Sequence, residues 1–140
     1  MEDPFNLDRF VSAQNAVFEQ VLAELRAGEK RGHWIWFIFP QMKGLGHSSM
    51  SLHYGIGSLA EAAAYWQHPV LGARLEQCTR LVNQIENRPI HQILGPPDDL
   101  KFRSSMTLFS RAAPAAPIFN EALQKYFAAH PDPPTLEFLR

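Results

Sequence analysis

The sequence predicts an all-α fold: a compact single domain of about six to eight short helices spanning the whole chain, with no significant β-sheet. Three observations carry this. Apolar residues recur at helical spacing along most of the chain. The 11 prolines and 8 glycines fall largely between those stripes and punctuate them. The only alternation suited to a strand pair is Leu52, Tyr54 and Ile56 opposite the aromatic run Trp34–Phe39. A chain of 140 residues suits one domain, and it is long enough to bury roughly 68% of the surface its unfolded form exposes. The apolar fraction of 46% and the net charge of −1 exclude a disordered chain. Near-neutrality also gives no support to an extended nucleic-acid surface, which needs a positive field.

The first element is the clearest. Phe5 and Phe10 stand at the N′ and N4 positions around an N-cap at Asn6, the spacing of a hydrophobic staple. Leu7, Phe10, Val11, Val17, Phe18, Val21, Leu22 and Leu25 then form one helical stripe. Gly28 suits its left-handed C′ position. Gln14 falls inside the stripe, where a buried amide has to find partners, so it is expected to tie down a neighbouring backbone segment. Trp34–Phe39 has the composition of a buried strand. Helix is preferred because the rest of the chain is helical and a strand would need partners for its backbone groups. On a helix His33, Phe37 and Gln41 share a face.

Ser58-Leu59-Ala60-Glu61 has the form of a capping box and opens the next helix. His68-Pro69 marks another start, with proline at N1, followed by the stripe Leu71, Leu75, Cys78, Val82 and Ile85. That stripe places Cys78 in the core as a small hydrophobe. Pro89 to Gly95 reads as one or two turns closed by glycine. Pro96-Pro97-Asp98-Asp99 opens a helix with two acids at its positive end and a core face of Phe102, Met106 and Phe109. After Pro114 and Pro117 comes an amphipathic helix carrying Ile118, Phe119, Ala122, Leu123, Tyr126 and Phe127. A last apolar patch of Leu136, Phe138 and Leu139 follows Pro131 to Pro134.

A single cysteine, an acidic start and the absence of a long apolar run lead to the expectation of a cytoplasmic protein that does not enter a membrane. His33, His47, His53, His68, His91 and His130 show no metal-ligand spacing, and no cofactor motif is present.

Two segments carry more polar residues than packing requires. In Gln41-Met42-Lys43-Gly44-Leu45-Gly46-His47-Ser48-Ser49, glycines let backbone N–H groups converge on an anion, Lys43 adds a charge, and Ser48 or Ser49 can cap a helix. A plain surface turn is the competing reading. In Asp98–Thr107, Asp99 and Arg103 are spaced to pair, and Lys101 and Ser105 lie one turn apart, the spacing of a base and a nucleophile. Caps, surface ion pairs and hydroxyls bonded to their own helix explain the same residues. Trp34 and Trp36 suit the core or a stacking platform for a ring.

The blocks Arg31–Gln41, Gly44-Leu45-Gly46, His68–Leu75 and Asp98–Phe109, with Phe10, Ala13 and Gln14, resemble the bacterial family known as domain of unknown function 1810. The resemblance covers almost the whole chain and implies a mainly α-helical domain of this length. It brings no established activity. The family pattern includes Gln14, His33, Trp36, Gln41, Gly44, Gly46, Asp99, Lys101, Ser104 and Ser105, residues that fall largely in the two polar segments.

The leading expectation is a binding domain for a small anionic, nucleotide-like ligand, with Gln14, His33, Trp36, Gln41, Lys43, Gly44, Gly46, Asp99, Lys101, Ser104 and Ser105 as candidate site residues. A hydrolase or transferase using the same pocket would take His33 or Asp99 as general base and Lys101 as electrostatic stabiliser. A protein–protein interaction module without a small-molecule site would show an exposed apolar patch instead.

Overall fold

Ten helices follow one another in the computed structural model, which describes residues 2–140. They are α1 (Asp8–Asn15), α2 (Phe18–Ala27), α3 (Ile35–Ile38), α4 (Ser49–His53), α5 (Leu59–Gln67), α6 (Leu71–Gln84), α7 (Ile90–Ile93), α8 (Asp98–Ala112), α9 (Ile118–Phe127) and α10 (Pro133–Phe138). The all-α class holds. The number exceeds the expected six to eight because the first helix is divided and several pieces, α3 and α7 among them, are single turns.

Helices α5, α8, α9 and α6 pack in a closed ring, each against the next. Phe102, Met106 and Phe109 of α8 are fully buried at its centre. Phe102 meets Phe39 edge-on at 4.9 Å between ring centroids, and Phe109 lies 5.4 Å from Tyr65 and 5.7 Å from Phe119. Around the ring, α3 rests on α1, α6 and α8, α2 on α6, and α7 and α10 on α8. The α5–α6 contact is close: a Cβ on Gly72 would come within 2.0 Å of the Trp66 carbonyl oxygen.

Local signals account for most boundaries. Ser58 Oγ accepts the Glu61 N–H at 3.1 Å, while Glu61 Oε1 accepts from Gly57, so the capping box closes one residue further back than its usual form. Ser48 caps α4 by accepting from the Ser51 N–H. His68 Nδ1 accepts from Val70 and Leu71, and the Gly72 N–H donates to the His68 carbonyl, so Pro69 lies in the turn leading into α6, two residues ahead of its first residue and not at N1. Gly28 ends α2 at φ 75°, and Gly95 follows α7 at φ 78°.

Two expectations about the N-terminal stripe are corrected. Asn6 does not cap α1; it stands at φ 52°, and the Leu7 and Asp8 N–H groups donate to the Asp3 carboxylate instead. These two bonds hold the Asp3 carboxyl below its ordinary range. The stripe is also two helices. The chain turns at Ala16–Val17, where Val17 adopts φ −132°, ψ 0°. The turn lets α1 reach α3 while α2 reaches α6, and a straight helix would forfeit one of those contacts.

Trp34–Phe39 forms one turn of helix, not half of a hairpin. The β-like signal at Ile56 is realised as one parallel bridge. The Lys43 N–H donates to the Ile56 carbonyl at 2.8 Å, and the Ile56 N–H donates to the Gln41 carbonyl at 2.9 Å. That bridge holds the polar segment after α3 beside the end of α4.

Candidate functional site

The bridge fixes Gln41 on one side, and the first turns of α8 bring Lys101 and Ser104 to the other. Between them lie two adjoining clefts that share Gln41 and Lys101. The narrower, walled by Trp36, Phe39, Ser51 and Tyr54, has a volume of only about 10 Å³, room for no more than one water molecule. The wider, of about 360 Å³ and open to solvent, runs over Leu45, Gly46, Pro97, Leu100, Ser104 and Pro134, with Arg103 and Asp132 at its edge.

Lys101 Nζ lies 5.6 Å from the Trp36 ring centroid and 3.5 Å from Asp98 Oδ1. It is a loose partner for that carboxylate, whose other oxygen is held at 2.7 Å by the buried Lys30. The Trp36 indole N–H is buried and has no hydrogen-bond partner. Since nearly all buried polar groups are paired in native proteins, an unpaired donor in a cleft wall is notable. Arg103 gives Nε to the His130 carbonyl and Nη2 to that of Pro131. Asp132 Oδ2 accepts from Ser104, from the Thr135 N–H and from the Thr135 hydroxyl, which docks α10 on α8.

Below this site a carboxylate organises the approach to α3. Glu24 accepts from the Arg31 and Gly32 N–H groups, the Trp34 indole and the Gln20 amide, all at 2.7–2.9 Å. Burial alone would raise its pKa; the four hydrogen bonds outweigh it and bring the value to about 2.

Of the sequence-derived candidates, Trp36, Gln41, Gly46, Lys101 and Ser104 come together at the clefts. The others do not line them. Gln14 is buried on the far side of α3, where its amide donates to the Phe37 carbonyl at 2.6 Å and to Tyr65 Oη at 2.9 Å, and accepts from Arg74. It ties down a backbone segment, as its position in the stripe suggested. His33 is exposed. Lys43 faces a separate cleft with Arg9, His53 and Glu61. Gly44, at φ 102°, packs under Phe138, so the glycine turn is not an open cradle of N–H groups: a Cβ there would lie 2.9 Å from the Phe138 ring. The turn of α8 puts Asp99 about 160° around the helix from Lys101, and Arg103 bonds carbonyls instead of Asp99. Ser105 is fully buried and its hydroxyl has no partner, so no lysine–serine pair forms with Lys101.

The profile of the family described as protein of unknown function (DUF1810) matches residues 4–139. The chain belongs to the DUF1810 family. A solved structure is similar over nearly the whole length: the crystal structure of a conserved hypothetical protein from Mycobacterium tuberculosis shares 56% identity, covers 98% of each chain and superposes with a TM-score of 0.97. No curated protein matches the sequence.

Several lining residues of this DUF1810 protein carried no signal in the sequence. Ser51 and Tyr54 reach the cleft through the bridge, and Asp132 and Pro134 through the docking of α10. Leu100 did leave a trace, as an apolar residue off the core stripe of α8, and it is 57% exposed. Among the described residues no three His, Cys, Asp or Glu side chains gather as metal ligands, and no helix is long and apolar enough to cross a membrane. Cys78 is buried, and that burial pushes its thiol up to about 12 against the opposing charge of Arg74, so it packs as an inert side chain.

Proposed function

We propose that this DUF1810 protein is a binding domain for a small anionic ligand, held where Gln41 faces Lys101. The observation that carries the reading is the convergence of these two residues, from distant parts of the chain, on both clefts. The Lys101 ammonium makes only a long ion pair, 3.5 Å from Asp98 Oδ1, and the other oxygen of that carboxylate is held at 2.7 Å by Lys30. A cleft of about 360 Å³ lies at the lower end of the roughly 300–1,000 Å³ range of small-molecule sites. A cytoplasmic location belongs to the same proposal, supported by the single free cysteine.

Binding is preferred to catalysis because the residues nominated as base and nucleophile are dispersed. His33 is exposed and lines neither cleft, and Ser105 is sealed in the core. The test is thermal denaturation in the presence of orthophosphate, AMP, acetate and octanoate. At least one anion is expected to raise Tm in the wild type and to lose that effect in Lys101→Met. Failure of every anion, or shifts that survive Lys101→Met, would overturn the proposal.

A further inference from the structure

We infer that the ligand of this site is a monocarboxylate with an apolar body, not a phosphate or a nucleotide. The inference rests on the anion-binding reading above and narrows it. Three features carry it.

The first is charge. Lys101 and Arg103 line the wider cleft, but Asp132 lies at its edge and Asp98 stands beside Lys101. With Lys30 on the other oxygen of Asp98, three cations stand against two carboxylates, a net charge of +1 that one anionic charge matches and a dianion or polyphosphate exceeds. A single charge placed at Lys101 is matched.

The second is the donor set. Phosphate sites commonly use converging backbone N–H groups or a helix N-terminus. Here Gly44 is packed under Phe138, and a Cβ on Gly46 would fall 2.5 Å from Ser51 Oγ, so the glycine turn is filled by side chains. The N-terminal turn of α8 carries Asp98 and Asp99, which already supply negative charge there. What remains is side chains, the Lys101 ammonium and the Gln41 carboxamide, both on the wider cleft. A carboxylate has two oxygens for these donors, one at the Lys101 ammonium and one at the Gln41 amide N–H.

The third is the floor. The wider cleft is predominantly apolar, with Leu45, Pro97, Leu100 and Pro134 side by side and Leu100 more than half exposed. A ligand whose charge sits at Lys101 would lay its body along these residues. Burying an apolar chain there is favourable by about 0.8 kcal/mol per methylene. A ribose or a second phosphate would leave the same surface unsatisfied.

The test is titration of the full chain with octanoate, acetate, octanol, orthophosphate and AMP, followed by ¹H–¹⁵N NMR, with the Trp36 indole resonance assigned through Trp36→Phe. Octanoate is expected to bind at least about tenfold more tightly than acetate or octanol and to shift the Trp36 indole resonance more than those of Trp34 and Trp66. Lys101→Met is expected to weaken octanoate to the level of octanol, and Leu100→Ser to weaken octanoate while leaving acetate unchanged. Both changes are at solvent-accessible positions, so folding is checked by retention of the remaining amide spectrum. Lys101-dependent binding of orthophosphate or AMP without octanoate would overturn this inference and leave the anion-binding proposal standing. Equal binding of octanol and octanoate would overturn the role given to the carboxylate. Binding of none of these anions would overturn both.

Discussion

Gln14 shows how one side chain in an apolar stripe can hold three elements together. Its amide bridges the end of α3, Tyr65 of α5 and Arg74 of α6. Burial drives the Tyr65 phenol far above its ordinary pKa, so this hydroxyl remains a neutral partner. Gln14→Leu should therefore cost about 1–3 kcal/mol, because the Phe37 carbonyl and the Tyr65 hydroxyl lose a buried partner; urea denaturation measures it. Glu24 gives a pH-dependent counterpart. Its folded pKa of about 2 lies below the ordinary 4.5, so the stability it supplies is complete above pH 4.5 and is lost as pH falls toward 2. Acid titration of stability should be flatter across that window in Glu24→Gln than in the wild type, and the variant should be less stable at pH 7. The need for a partner at Gln14 was legible because its position in the stripe dictated burial. Glu24 was not, since three of the donors to its carboxylate, from Arg31, Gly32 and Trp34, lie in a loop whose path the sequence pattern does not specify.

At the scale of elements, caps and stops were readable because they are local: Ser58, Ser48, His68 and Gly28 act on backbone within a few residues. The break at Ala16–Val17 was hidden because its cause is distant, in the separate partners of α1 and α2. The Asp3 cap was hidden for a related reason, since Asn6 had the better composition for the role but turned into a left-handed conformation. The α5–α6 crossing offers the sharpest test at this scale. Gly72→Ala would place a methyl group 2.0 Å from the Trp66 carbonyl, on two helices that cannot yield independently of the ring they belong to. A loss of about 1–3 kcal/mol, or more, is expected by thermal denaturation, with little change in helix content below Tm.

For the molecule as a whole, two polar segments nominated a site, and the fold brings about half of their residues to one place. Trp36 lies on α3, which packs against α8, Lys101 and Ser104 lie on α8 itself, and Gln41 and Gly46 join them from the loop that follows α3. Helical phase separates Asp99 from Lys101; Lys43 is carried to the opposite side of the bridge, and Ser105 is drawn into the core. Sequence pattern identified which segments matter, but not which side of each faces its neighbour, because that depends on crossing geometry. The apolar floor escaped notice altogether, since prolines read as punctuation also serve as surface.

The Met42–Ile56 bridge gives the site a history as well as a shape. It closes a short loop, whose entropy of closure is modest, so Gln41, Ser51 and Tyr54 can gather as a local unit from neighbouring stretches of chain. Lys101 must arrive from α8, far along the sequence and locked into the helical ring. The cleft is thus half a short-range contact and half a long-range one, and it exists in full only when the two have met.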